Sequence, residues 1–307
     1  MPRPSLLFLG PVGSFTHAGA LTVPDVEPLP ARSARDIVAA VQAGEADLGL
    51  VPLENSVEGD VAGTLDELVF GSTSVFIRRE VVVSVTFVLA ALPGATEAGL
   101  TTVTSHPHAV AQCRRVVAEL GLDVELAGST SQACADVAAG SSTTVAALAS
   151  LQGAQAHGLQ VLRSAVEDVA GARTRFALLG RTLAPPSGQD VTLAVLTPDT
   201  NRTGVLVEAL RCFSDRGVAL SRVSSRPLKA QLGTYCFVVA AQGHLADDVV
   251  SGALAAVATL GVAVKVLGSC PETSPVLGME VGASLPPGSV GAADWERWRR
   301  EVLSAST

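Results

Sequence analysis

The chain reads as an α/β protein built of two successive α/β lobes, a shorter βαββαβ unit and a tail. Three observations predict this. Apolar runs of buried-strand type alternate with helical stretches from residue 5 to residue 180. A linker follows at 181–189, where Pro185, Pro186 and Gly188 break any periodic pattern. Beyond it the apolar pattern runs strand 191–197, helix 203–215, strand 218–226, strand 234–241, helix 245–259 and strand 262–268.

Taken in order, residues 5–10 form a buried strand closed by a turn at Pro11 and Gly13, and a helix opens near residue 16 with Ser14 or Thr16 as its cap. A second helix, 33–43, leads through 44–52, in which Leu48 to Val51 read as another buried strand. The segment 54–68 then reads as a polar loop at that strand's C-terminal end, where open α/β sheets hold ligands. Glu54, Asn55, Ser56 and Glu58 are its candidate cleft-facing groups. Residues 75–92 predict two extended strands joined in the middle, a ribbon suited to a hinge between lobes. The second lobe starts near 100. Its first helix, 107–119, opens at Ser105 and His106 with Pro107 in the favoured first turn and Gln112 further in. A strand at 122–127 precedes a helix, 131–140, capped from Ser129, Thr130 and Ser131. Strands at 144–150, 159–162 and 176–180 complete the alternation.

With 307 residues, 48% hydrophobic and 16% charged, the chain is long enough for two or three cored domains and too apolar for general disorder. A formal charge of -8 with no basic stripe argues against a nucleic-acid surface. It also repels anionic ligands, so an anion site must be built locally. The five cysteines, at 113, 134, 212, 236 and 270, are scattered and form no metal-ligand spacing. They predict buried thiols in a reducing compartment. No apolar run reaches spanning length, and a cytoplasmic location is expected.

The candidate chemistry centres on Thr174, Arg175 and Phe176: a hydroxyl donor, a fixed cation and an aromatic wall, a set that suits a small anion bearing a ring. Taken alone, Thr and Phe are ordinary strand residues. Hydroxyl-rich helix starts near 14–16, 105 and 129–131 give the trio its meaning, because helix N-termini offer free N–H groups to carboxylates.

These motifs together resemble a bacterial prephenate dehydratase with a C-terminal ACT regulatory domain. The resemblance covers about residues 5–270. It rests on Gly10 to His17, Val51 to Gly59, Ser105-His106-Pro107 with Gln112, Ser129 to Ser131, Ala146-Ala147, Thr174-Arg175-Phe176, and Ser225-Arg226-Pro227. It implies a two-lobed catalytic region, residues 1–181, similar to type II periplasmic binding proteins, with the second lobe at about 100–170 and the active site between the lobes. A ferredoxin-like βαββαβ ACT domain, 190–270, and an extension, 271–307, follow. The implied reaction is that of a carbon–oxygen lyase: prephenate loses its ring hydroxyl as water and its ring carboxylate as CO2, giving phenylpyruvate for phenylalanine synthesis. No cofactor and no metal are expected.

By the same resemblance Thr174, Arg175 and Phe176 are the catalytic set, with Arg175 holding a carboxylate. Ser14, Phe15, Thr16, Asn55, Ser56, Gln112, Ser129 and Thr130 bind substrate. Glu54 and Glu58 are ambiguous, since a carboxylate beside a dianion is costly unless protonated or turned away, and Glu54 is kept out of the acid/base role. Ala172 stands where the family often has Asn. In the ACT region, Gly204, Val205, Leu206, Ser224, Ser225, Arg226 and Pro227 correspond to the family's phenylalanine-binding turns, with Val205 in place of an Ala and Ser224 in place of a Glu. Phenylalanine as allosteric effector and a homodimer or homotetramer are expected. Two alternatives remain open on sequence: arogenate as substrate, or a non-catalytic amino-acid-sensing binding protein.

Overall fold

The computed structural model describes residues 3–57, 59–200, 202–229, 233–273, 289 and 294–304. Within Met1–Pro275 the strands form two sheets. One belongs to the first lobe and continues into the C-terminal βαββαβ unit. The other is the five-stranded sheet of the second lobe.

In the first lobe the strands Ser5–Leu9, Leu48–Asn55 and Arg173–Gly180 lie side by side, with Glu27–Ala31 at one edge and Phe76–Ser84 on the far side. The sequence pattern did not reveal Glu27–Ala31, whose Pro28 and Pro30 spoil a strand signal. Prolines are tolerated there because an edge strand need not donate along its whole length. Helix Phe15–Ala20 covers one face over Phe8, Leu50 and Phe176, while helix Ala34–Ala43 covers the other with Ile37, Val38 and Val41. The segment expected to be a loop at 54–68 is more ordered than that. Glu54 and Asn55 end the strand, Gly59–Asp60 pairs back on them, and Ala62–Asp66 and Glu67–Gly71 are short helices.

The expected ribbon is two strands, Phe76–Ser84 in the first sheet and Val88–Ala91 in the second, so the chain crosses between lobes at 85–87. It returns at 165–172. The two crossings are tied by hydrogen bonds from Val85 N to Ala172 O (2.7 Å), Val166 N to Phe87 O (3.1 Å) and Phe87 N to Glu167 Oε2 (2.9 Å). In the second lobe the strands run Gln160–Ser164, Val88–Ala91, Val145–Ala149, Thr102–Ser105, Asp123–Leu126. Its first helix is not continuous as expected: Pro107–Gln112 and Arg114–Leu120 are separated at Cys113, whose φ of -129° and ψ of 29° leave the helical region. Helix Leu151–Ala156, opened by a Ser150 cap, was not anticipated.

The C-terminal unit has the expected βαββαβ order, with strands Asp190–Pro198, Leu220–Pro227, Tyr235–Gln242 and Val262–Pro271 and helices Val205–Ser214 and Asp248–Thr259. Both helices pack on one sheet face through Phe213, Val250 and Val257. The opposite face, with Leu193 beside Val195 and Val238, lies against Leu65, Leu68 and Val69 of the first lobe. The composition of 181–189 suggests a free linker, but the first-lobe and C-terminal strands form one continuous sheet: Gly268 pairs with Ile77 in parallel. A Cβ at residue 268 would collide with the Ile77 carbonyl oxygen, so only glycine allows the join. Lys265 reinforces it by donating to the carbonyls of Leu68, Val69 and Ser72 at 2.8, 2.7 and 2.6 Å.

Within Val276–Thr307 the described structure is helix Trp295–Ser304, where Trp295 and Trp298 stack at 5.2 Å.

Candidate active site

Thr174 is the second residue of the strand Arg173–Gly180 and is paired in register with Asn55 on one side and Val83 on the other. It is 8% exposed. Asn55 Nδ2 lies 3.0 Å from its Oγ1, and Val57 N lies 2.8 Å from Asn55 Oδ1. A backbone N–H can only donate, so the second contact fixes the amide: Oδ1 faces Val57 and Nδ2 faces Thr174. Thr174 Oγ1 is therefore the acceptor, and its own proton is directed to something else.

What it faces is a cleft of about 350 Å³ between the lobes. The first lobe contributes Leu9, Gly10, Phe15, Asn55 and Thr174, and the second contributes His106, His108, Gln112, Ser129 and Thr130. Phe15 meets Phe87 edge to face at 5.5 Å across this boundary. The lobes are also joined behind the cleft. Ser150 Oγ donates to Gly13 O (2.7 Å) and Ser131 Oγ donates to Val12 O (2.6 Å). Gly13 has φ +85°, and a Cβ there would meet Gly153 Cα at 2.9 Å, so this contact requires glycine twice over.

The helix starts arrive largely as the sequence implied. Ser14, not Thr16, caps Phe15–Ala20, its Oγ accepting from His17 N at 3.2 Å. Ser129 caps Thr130–Ala139. At the third start the cap is His106, whose Nδ1 accepts from His108 N at 3.3 Å. Ser105 is fully buried and instead donates to Leu148 O at 2.6 Å. His17 Nδ1 accepts from Gly13 N at 3.1 Å, and burial pushes its pKa below the ordinary 6.5.

The cleft thus gathers Phe15, Asn55, Gln112, Ser129, Thr130 and Thr174 from the predicted set. The others do not line it. Successive strand residues point to opposite faces, so Arg175 turns away from Thr174. Its guanidinium pairs with Glu80 (3.3 Å) and Glu54 (3.8 Å), and Glu80 is only 2% exposed. The expected role of Arg175 as a carboxylate clamp is therefore corrected to that of a partner for a buried carboxylate. Ser56 lies on the same side, in a separate hollow with Glu54, Val82, Arg173 and Arg175, where its Oγ accepts from Arg173 N at 2.9 Å. Phe176 shares the face of Thr174 but is 1% exposed, packed under helix Phe15–Ala20 with Phe8 and Leu6. Thr16 is buried at 6% and supports that helix. Ser14 acts as the cap of that helix, and Glu58 lies outside the described residues.

Sequence reasoning missed His108. A signal was available: it precedes Gln112 by four positions in one helix, which places both on one face.

In the C-terminal unit, Gly204 (φ +87°) starts helix Val205–Ser214, with Val205 in the core. Ser224 and Arg226 share a strand face with Arg222, and this face meets the first lobe. Arg222 pairs with Glu54 (2.5 Å) and Arg226 with Asp66 (2.6 Å). Ser224 Oγ is buried with no hydrogen-bond partner among the described residues. Burial works against the Asp66 charge, but Lys229 and Arg226 outweigh it and hold its pKa low. Ser225 and Pro227 alternate to the exposed side.

Known proteins decide the family. A family model described as prephenate dehydratase matches residues 6–183. The chain belongs to the prephenate dehydratase family. It is 38% identical to the prephenate dehydratase of Mycolicibacterium gilvum, over 97% of this chain and 99% of that one. It is 40% identical to that of Mycobacterium tuberculosis strain H37Rv, over 90% and 89%. Among solved structures, the prephenate dehydratase of Arthrobacter aurescens in complex with L-Phe aligns with a TM-score of 0.82 at 35% identity, covering 98% of this chain and 99% of that one. GqqA, described as a novel type of quorum quenching acylase, aligns with a TM-score of 0.77 at 29% identity, covering 87% and 97%.

Proposed function

We propose that this chain converts prephenate to phenylpyruvate, water and CO2 as a carbon–oxygen lyase, with Thr174 assisting departure of the ring hydroxyl. The observation that carries the reading is the hydrogen bond from Asn55, which leaves Thr174 as a donor in the wall of the interlobe cleft. As the C–C bond to the ring carboxylate breaks, its electron pair enters the ring and the C–O bond to the hydroxyl breaks. The departing oxygen takes up one proton from solvent to become water, and the ring becomes aromatic. That aromatisation supplies the driving force. A free alcohol is a weak acid, so the Thr174 O–H polarises the leaving oxygen by hydrogen bonding as charge develops there. Phe15 and Phe87 present aromatic surface to the ring, and the N–H groups at the Ser129 start are placed to take an acid group.

Residues 1–181 are assigned as the catalytic region and 190–270 as an ACT regulatory domain sensing L-Phe, in a cytoplasmic homo-oligomer. The L-Phe complex of the 35% identical relative supports the effector, and the contact of Arg222 with Glu54, next to Asn55, supports a route from that domain to the site. The test is phenylpyruvate formation from prephenate by the purified chain, with and without L-Phe, and with arogenate as the competing substrate. Phenylpyruvate production lowered by L-Phe is expected. Turnover unaffected by L-Phe removes the regulatory assignment, and no turnover removes the catalytic one.

A further inference from the structure

Among the described residues the cleft holds no fixed cation. Under the reading above, on which this inference rests, its ligand is a dianion, yet none of the described residues lining it is a lysine or arginine. Arg175 is on the other side of its strand. Helix starts at His106 and Ser129 supply only partial charge. Among the described lining residues, the side chains able to carry a whole positive charge are His106 and His108.

These two are not equivalent. His106 uses Nδ1 as an acceptor to cap its helix, a contact that protonation of that nitrogen breaks. His108 is exposed on the first turn, on the face it shares with Gln112, whereas Thr174 is 8% exposed. That contrast puts His108 towards the mouth of the cleft and Thr174 deeper. The two imidazole rings meet edge to face at 4.9 Å. Across the cleft Asn55 and Thr174 carry no charge, and neither do Ser129 and Thr130 of its own lobe. On its own side, among the described residues, the other titratable groups are buried or engaged elsewhere. Burial raises the Cys113 thiol to about 12. The Glu167 carboxylate accepts from Phe87 N, and that of Asp168 from Arg114 N and Arg115 N. The Arg115 guanidinium donates to Glu167 O. The strand Val145–Ala149, packed on this helix, has no ionisable side chain.

We propose that protonated His108 grips the side-chain carboxylate of the substrate at the cleft mouth and makes substrate affinity fall as pH rises. The chemistry selects this carboxylate. Negative charge must drain from the ring carboxylate as CO2 forms, and a cation held against it opposes that flow. The side-chain carboxylate keeps its charge from substrate to product. A cation there strengthens ground state and transition state alike, so it acts on KM and leaves kcat nearly untouched. Imidazole changes charge between about pH 5 and 8, which places the gain at the acid end.

Phenylpyruvate retains that carboxylate and serves as the probe. It is titrated by calorimetry into the parent, His108→Gln and His108→Lys at about pH 5.5 and about pH 8.5, beside steady-state prephenate kinetics at both pH values. The parent is expected to bind phenylpyruvate about five-fold tighter at the lower pH, the gain of a partly exposed ion pair. His108→Gln is expected to bind weakly at both and His108→Lys tightly at both, with kcat for prephenate within about two-fold of the parent. A parent affinity that ignores pH, no measurable binding to the parent, or a His108→Gln variant that keeps the parent's pH dependence overturns the proposal. A parent that binds phenylpyruvate in this pattern but forms none from prephenate refutes the activity reading and leaves the assignment of His108 standing.

Discussion

Asn55→Ala separates a residue that positions the Thr174 hydroxyl from one that touches substrate. Among the contacts with described residues, the change deletes hydrogen bonds of 3.0 Å to Thr174 Oγ1 and 2.8 Å from Val57 N. Loss of the second affects folding by about 1 kcal/mol. Loss of the first frees the hydroxyl to rotate away from the leaving oxygen, worth about 1.4 kcal/mol or about ten-fold in kcat. Thr174→Ala removes the donor itself, for which about 10²- to 10³-fold is expected. If Asn55 acts through Thr174, the double variant turns over at the rate of Thr174→Ala alone, because there is no hydroxyl left to orient. Phenylpyruvate release at saturating prephenate is the assay. A parental kcat in Asn55→Ala, or losses that multiply in the double variant, refutes the positioning argument.

Arg175→Met tests the correction at that residue. It leaves the 2% exposed Glu80 without its cation, and the thermal midpoint should drop by the equivalent of about 3 kcal/mol or less, since Arg175 is itself partly exposed. KM of the folded variant should stay within about two-fold of the parent; a KM raised about 100-fold with an unchanged midpoint would put Arg175 back in the cleft. His17 predicts a pH dependence of stability. Its folded pKa is held below the ordinary 6.5 by burial, so the folded chain binds fewer protons than the unfolded one. The contribution is complete above 6.5 and is lost as pH falls through the lowered folded value. Thermal unfolding of the parent should therefore weaken from about pH 7 to about pH 5 more than that of His17→Gln; equal slopes contradict it.

Much of this arrangement was legible because local chemistry dictates it. Ser14, Ser33 and Ser129 each precede a helix and accept from its third N–H, and all are capping residues in sequence. Thr174 was legible for its hydroxyl at a strand mouth. The direction of Arg175 was not legible, because the strand read from the sequence starts at 176; its extension back to Arg173 sets Thr174 and Arg175 on opposite faces. Other features lie beyond local pattern. The continuity of the sheet at Gly268 and Ile77 joins positions far apart in the chain, and nothing near residue 268 announces it. The break at Cys113 follows no Gly or Pro; there the backbone carbonyl of Gln112 accepts from Asp168 N at 2.7 Å, and the Asp168 carboxylate takes the N–H groups of Arg114 and Arg115. A carboxylate from the returning crossing caps a fresh helix, which no window around Cys113 contains.

The central claim is that a donor hydroxyl at residue 174 assists loss of the ring oxygen. The most direct measurement compares prephenate turnover by the parent, Thr174→Ser and Thr174→Val. Serine keeps the donor and should retain a rate within about ten-fold of the parent, while valine keeps the shape, loses the O–H and should fall by about 10²-fold or more at nearly unchanged KM. A valine variant that turns over prephenate as fast as the serine variant contradicts the account.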